Sequence, residues 1–471
     1  MTVDLDLCYA PATELAARIR SRELSPVDVV ANALARIEAV RERLNCFCFV
    51  FAEEALAEAR EAERAVMSGG PLGPLHGVPV AFKDLTPIAG RISTRGSFAF
   101  EHHRPERSAL LVEKITGAGA IVVATTTTPE FAHSGFTSSP LWGHTRNPWD
   151  LERSPGGSSG GSGAAVAAGC VPLAEGTDMG GSVRIPAAWT GVVGLKPSFG
   201  RIPLDFIPTQ FDSIQHFGPL ARTIDDARLF VAIGQGPDDR DIMSITTPLD
   251  LSGPLERDGR GLRLALDVDL GCYAVDPDVE AQVRAAAAAL EAAGAVVEEI
   301  DLGWTRRPAD DWFAHWGVYL AAIFGDTLEE HRDRLDPGVV ALMDAGLAMS
   351  AVDFKRLEFA RTDFWRSLAP VFERYDALLC PTMAQVARPI GEDDSQWLGE
   401  DEAGRFLALD MTTQFNWVSP CPALSVPAGW TAGGLPVGLQ VVAARHRDDV
   451  ALRIGGVLES ARPWARQRPP L

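Results

Sequence analysis

Residues 155–169 read PGGSSGGSGAAVAAG, and residues 175–203 follow with EGTDMGGSVRIPAAWTGVVGLKPSFGRIP. Between Gly156 and Gly163 there are only glycines and serines, which cannot build a core. Such runs suit places where the backbone must come close to something else, or where bare hydroxyls are needed. Several chemistries use Gly/Ser loops, and the neighbouring residues separate them. A phosphate cradle needs GxxxxGK[ST], and no lysine follows these glycines. A dinucleotide fingerprint needs GxGxxG at a strand-to-helix turn with a partner acid, and residues 156–163 do not supply that set. Gly157–Gly161 does satisfy GxSxG, the nucleophile elbow, with Ser159 at its centre. In a stretch this rich in glycine the pattern arises easily. It also needs an acid and then a histidine downstream, and His216, His315, His331 and His446 each lack a recognisable setting.

A third option joins residues far apart in the chain. Lys83 ends the apolar segment HGVPVAFKD at 76–84, Ser158 follows in the first Gly/Ser stretch, and Ser182 sits in the second. With their flanking residues these segments resemble the amidase signature family. The likeness continues in order through GHTRNPWD (143–150), GPLARTIDDA (218–227), YDALLCPT (375–382), NWVSPCPALSVP (416–427) and GLPVGLQVV (434–442). The resemblance implies a single α/β domain over 1–471, with a central mixed sheet covered by helices. It makes Ser182 the nucleophile, Ser158 the relay serine after a cis Gly157–Ser158 bond, and Lys83 the base. The backbone N–H groups of Met179, Gly180, Gly181 and Ser182 would form the oxyanion hole. Ser159 would support Lys83 by a hydrogen bond, while Asp178 and Arg184 would brace the loop.

Physical chemistry explains why such a set works. A serine hydroxyl is a weak nucleophile until a base takes its proton. Lysine serves only when neutral, and its ordinary pKa is about 10.4. Burial among Val78, Val80 and Phe82 disfavours the ammonium, and Asp84 on an extended strand points to the other face. The implied reaction is acyl transfer to Ser182, departure of an amine and hydrolysis by water, with no metal or organic cofactor. Esters and carbamates, as in a urethanase, develop the same oxyanion. The alternative from another class is the glutamine-hydrolysing subunit of a tRNA-dependent amidotransferase.

The pocket is less legible. Thr125–Phe131 (TTTTPEF) departs from a lysine- and asparagine-containing version common in relatives, and Leu85 replaces a frequent asparagine. Together with Phe131, Phe136, Phe206, Phe211, Trp312 and Trp316, these changes favour a bulky apolar or aromatic substrate. The Trp-rich segment 303–348 is expected to be an insertion forming a lid or pocket wall. Residues 1–70 are expected to be a helical region on the edge of the main body. Ser25-Pro26-Val27-Asp28 starts one helix there by its cap, and an Ala/Glu-rich helix runs over 52–68.

Bulk properties limit the partners. The chain has 471 residues, and 43 basic against 63 acidic side chains give a net charge of −20. A polyanion disfavours nucleic acid and anionic membrane as general partners; the resemblance implies a small-molecule amide, ester or carbamate instead. The N-terminus lacks an apolar signal region, and no run approaches a membrane span. Seven scattered cysteines without CxxC fit reduced thiols in a cytoplasm, and the nine histidines lack paired ligand spacing for a metal. Family members are often homodimers, and the sequence leaves the oligomeric state open.

Overall fold

The computed structural model describes residues 3–471. Thirteen strands run in chain order: β1 (Phe47–Val50), β2 (Pro79–Lys83), β3 (Ile121–Thr126), β4 (Ser138–Ser139), β5 (Gly143–His144), β6 (Leu173–Asp178), β7 (Val193–Lys196), β8 (His216–Ala221), β9 (Arg263–Leu266), β10 (Val296–Glu299), β11 (Ala377–Pro381), β12 (Ala423–Trp430) and β13 (Pro436–Ala443). Strands β4 and β5 form a small hairpin; the other eleven make one mixed sheet in the order β1-β3-β2-β6-β8-β7-β12-β13-β11-β9-β10. Helices flank the sheet, so the chain is a single α/β domain.

Strand β2 lies between β3 and β6 and runs parallel to both. Parallel strands with both faces covered read as continuous buried runs, and every residue of β2, β3 and β6 is buried. Lys83, Thr126 and Asp178 end these three strands, so their carboxyl ends gather at one place. Ligands of α/β sheets bind outside such ends.

The N-terminal helices have local causes. Pro26–Leu44 starts where the Ser25 hydroxyl accepts from the Val27 amide at 3.0 Å, and Ala52–Ser68 stops at Gly69 in the left-handed region. Both helices pack on the body of the domain. Val30, Ile37, Val40 and Leu44 from the first and Ala55 and Ala59 from the second pack into a core with the helix Gly160–Ala167.

The Trp-rich excursion extends past its expected end at Ala348. Helices Arg307–Phe324 and Pro337–Ala348 are joined by Ala351–Leu368, and all three contribute to a second core around Trp312, Trp316 and Phe415. No single helix among the described residues is long and apolar enough to cross a membrane.

Candidate active site

Lys83 is fully buried at the end of β2. Its Nζ donates to Ser158 Oγ at 2.6 Å and to Thr177 Oγ1 at 2.9 Å. The Gly157–Ser158 peptide is cis. The Ser159 amide donates to the Ser182 carbonyl at 3.1 Å, so the two Gly/Ser stretches lock together beside the lysine.

Two expected contacts are replaced. Ser159 does not support Lys83; its hydroxyl donates to the Thr177 carbonyl at 3.3 Å, and Thr177 holds the lysine instead. The reason is strand geometry. Side chains alternate along β6, so Glu175 and Thr177 share one face of the strand. No histidine approaches Ser159 either: His216 Nδ1 pairs with the Asp178 carbonyl at 3.1 Å. The elbow pattern centred on Ser159 therefore lacks its base.

The second replacement concerns the loop after β6. Gly181 N–H, expected as an oxyanion donor, donates to Asp178 Oδ1 at 2.9 Å. Met179, Gly180 and Ser182 N–H have no acceptor among the described residues. Gly181 has φ +126°, and a Cβ there would lie 1.9 Å from Thr412 Oγ1, so only glycine fits.

Beneath this loop, Asp178 and Arg184 are both fully buried and pair at 2.8 Å. Asp178 also accepts from Val183 N–H at 3.2 Å and from Asn416 Nδ2 at 2.9 Å, while Arg184 reaches Gln440 Oε1 at 2.6 Å. Burial pushes the Asp178 carboxyl up, but the Arg184 guanidinium and hydrogen bonds from Arg184 and Asn416 outweigh it. The net effect holds Asp178 well below the carboxylate range.

Electrostatics act in the opposite sense on Lys83. Burial pulls its ammonium well below the ordinary lysine value, against the attraction of Glu175 and Asp178. Glu175 is itself pushed up by burial, against hydrogen bonds from the Lys83 amide and Thr86 and the lysine charge.

Ser182 opens onto a cleft of about 40 Å³ lined by His133, Met179, Gly180, Ile185, Trp312, Phe313, Trp316, Asp394 and Asp410, among others. Trp312 covers the loop: its Nε1 donates to the Met179 carbonyl at 3.0 Å, and its ring lies 2.4 Å from where a Gly180 Cβ would stand. Of the expected aromatic lining, Trp312 and Trp316 are present and three phenylalanines are elsewhere. Phe131 stacks on Phe324 at 4.2 Å inside the second core. Phe136 packs edge-on to Trp189 in a small satellite cluster. Phe206 lies against Phe217 on the main core. Each ring removes more apolar surface from water in those packed positions than it would on a cleft wall. Phe211 is 76% exposed, on the rim of a separate groove of about 700 Å³ that none of Lys83, Ser158 and Ser182 lines.

A family model described as Amidase matches residues 28–452. The chain belongs to the amidase family. It is accordingly an amidase, a hydrolase of carbon–nitrogen bonds. It is 38% identical to an acylamidase of Rhodococcus erythropolis, over 98% of both chains. It is also 36% identical to a glutamyl-tRNA(Gln) amidotransferase subunit of Acidothermus cellulolyticus, over 97% of this chain and 95% of that protein. Its fold matches a bacterial aryl acylamidase of the amidase signature family with a TM-score of 0.91 at 31% identity, each chain covered to 97%.

Sequence reasoning missed Glu175, Thr177, Asn416 and Gln440. The polar alternation in Glu175-Gly176-Thr177-Asp178 at the end of an apolar run was a usable signal. Asn416 and Gln440 fall within the family stretches at 416–427 and 434–442, but nothing local marks their pairing with Arg184, which lies more than two hundred residues away.

Proposed function

We propose that this amidase cleaves bulky, largely apolar or aromatic amides through an acyl-enzyme on Ser182. The observation that carries this reading is the buried Lys83 amine held 2.6 Å from the Ser158 oxygen. Ser158 both donates and accepts, so it passes the Ser182 proton to a neutral Lys83 as the Ser182 oxygen attacks the carbonyl carbon. The developing oxyanion is met by the N–H groups of Met179, Gly180 and Ser182, and losing one such donor lowers the rate by about 100- to 1000-fold. Lys83 returns the proton through Ser158 to the departing amine, and water then releases the acid.

Trp312, Phe313, Trp316 and Ile185 support an apolar substrate. Asp394 and Asp410 add acceptors that suit the N–H of an aryl amide. Acylamidase and aryl acylamidase relatives point the same way. Esters and aryl carbamates present the same tetrahedral chemistry and are expected as slower or alternative substrates.

The test is a panel of an anilide, an aryl carbamate and a small polar amide, with Ser182→Ala as blank. The anilide should be turned over fastest; a clear win for the polar amide would refute the reading. The amidotransferase relative raises a second reading, a glutamine-hydrolysing subunit. Against it, no lysine or arginine among the described residues lines the cleft to take a substrate carboxylate. Glutaminase activity dependent on a partner protein would favour it.

A further inference from the structure

Glu175 lies deep under the site and the mechanism above does not use it. It is 1% exposed on β6, next to β2. Its two oxygens accept from the Lys83 backbone N–H at 3.0 Å and from Thr86 Oγ1 at 2.9 Å. The carboxylate is therefore tied to the backbone of the same residue whose amine serves the relay, and both groups are buried. We propose that Glu175 is a positioning residue of the relay: it holds the end of β2 in place and supplies the counter-charge for the lysinium that forms when Ser182 gives up its proton. The inference rests on the Ser182–Ser158–Lys83 reading and deepens it.

The neighbours leave Glu175 in that role. From β2 comes Lys83, and Asp84 follows it directly. Asp84 turns away, accepting from the Thr94 amide and hydroxyl. From β6 itself comes Asp178, which is committed to Arg184. From β8 comes His216, which is bound to the Asp178 carbonyl. The helix Gly160–Ala167, which packs on the opposite face of β6 beside Gly176, contributes no titratable group. Ser162, on that helix, donates to the Glu175 carbonyl at 2.8 Å and fixes the strand rather than the charge. Lys83 is thus the basic residue to which Glu175 is bonded, through the Lys83 backbone N–H.

The consequences have opposite signs, which makes them separable from simple damage. In the first step a proton leaves Ser182 Oγ for Ser158 Oγ. The proton of Ser158 moves to the lone pair on Lys83 Nζ, and the Ser182 oxygen bonds to the substrate carbon. One cation is created beside Glu175. An ionised Glu175 stabilises that cation, so it makes Lys83 a stronger base. It also keeps the resting lysine protonated to higher pH. A charge within about 4–6 Å moves such a pKa by about 1–3 units.

Glu175→Gln keeps an acceptor for the Lys83 amide and a polar group for Thr86 while removing the charge. The acid limb of the kcat/KM profile for the best amide should then move to lower pH by about one unit or more. The alkaline plateau should fall by about threefold for each unit of basicity lost. Thr86→Val, which strips one hydrogen bond from the carboxylate, should move the limb the same way by less, and it serves if the glutamine variant folds poorly. A limb that stays put or moves up, or an equal loss at every pH in either variant, overturns the inference. Wild-type protein lacking both amidase activity and phosphonate labelling at Ser182 would instead remove the underlying reading.

Discussion

At the residue scale the question is how an amine becomes a base without histidine. Lys83 is held by two hydroxyls, Ser158 and Thr177, and by no carboxylate hydrogen bond to its Nζ. Hydroxyl contacts orient the amine without locking it as an ammonium, and burial does the rest. In the proposed mechanism the neutral form is the active one, so kcat/KM is expected to rise with pH through the lysine titration. That rise should lie below the ordinary value of about 10.4 because the amine is desolvated. A rate profile with its optimum below pH 6 would contradict it. Thr177→Val removes one of the two anchors while nearly keeping volume. Loss of a neutral hydrogen bond is worth about 0.5–1.5 kcal/mol, so kcat should fall by about 2- to 10-fold with the fold intact. Ser182→Ala should abolish labelling by a serine-reactive phosphonate, whereas Ser159→Ala should retain it, since the Ser159 hydroxyl donates to the Thr177 carbonyl and its backbone contact to Ser182 survives the substitution.

At the element scale, the loop after β6 owes its shape to one buried ion pair. Asp178 collects the Gly181 and Val183 amides, and Arg184 ties Asp178 to Asn416 and Gln440 from distant strands and helices. Arg184→Leu leaves that carboxylate buried and unpaired, a loss of about 3–5 kcal/mol that a denaturant titration at neutral pH would read. The sign with pH follows from the depressed folded pKa of Asp178. Its stabilisation is full above the unfolded value near 3.9 and is lost as pH falls towards the folded one. The gap between wild type and variant should therefore narrow below about pH 4. This loop also shows what local reading supplies. The glycines and Ser182 were plain from the motif. The loss of Gly181 N–H to Asp178 was not, because it depends on which way a buried carboxylate turns.

At the scale of the whole molecule, the cleft sits where the sheet meets the second core. Trp312 belongs to both: it is 6% exposed within that core and it roofs the Met179–Gly180 segment. A cleft of about 40 Å³ admits little more than a water-sized group, so a bulky amide requires the roof to move. Trp312→Ala should lower KM for the largest amides in steady-state assays. It should also destabilise the fold by about 3–5 kcal/mol, because a large buried ring is deleted. Unchanged KM across amide sizes would show that the roof does not limit access.

The linear chain alone determined the family and the capped helix after Ser25, marked the apolar segment at 76–84, and brought Lys83, Ser158 and Ser182 forward as the candidate set. Those features are written in short stretches whose backbone demands and residue types admit few alternatives. Only the tertiary structure decided that Thr177 rather than Ser159 holds the lysine, that Asp178 takes the Gly181 amide, that Glu175 lies under the relay, and that three of the candidate phenylalanines pack away from the cleft. Each of these depends on side-chain direction across strands and helices distant in sequence, where one residue of register turns a group from the site into the core.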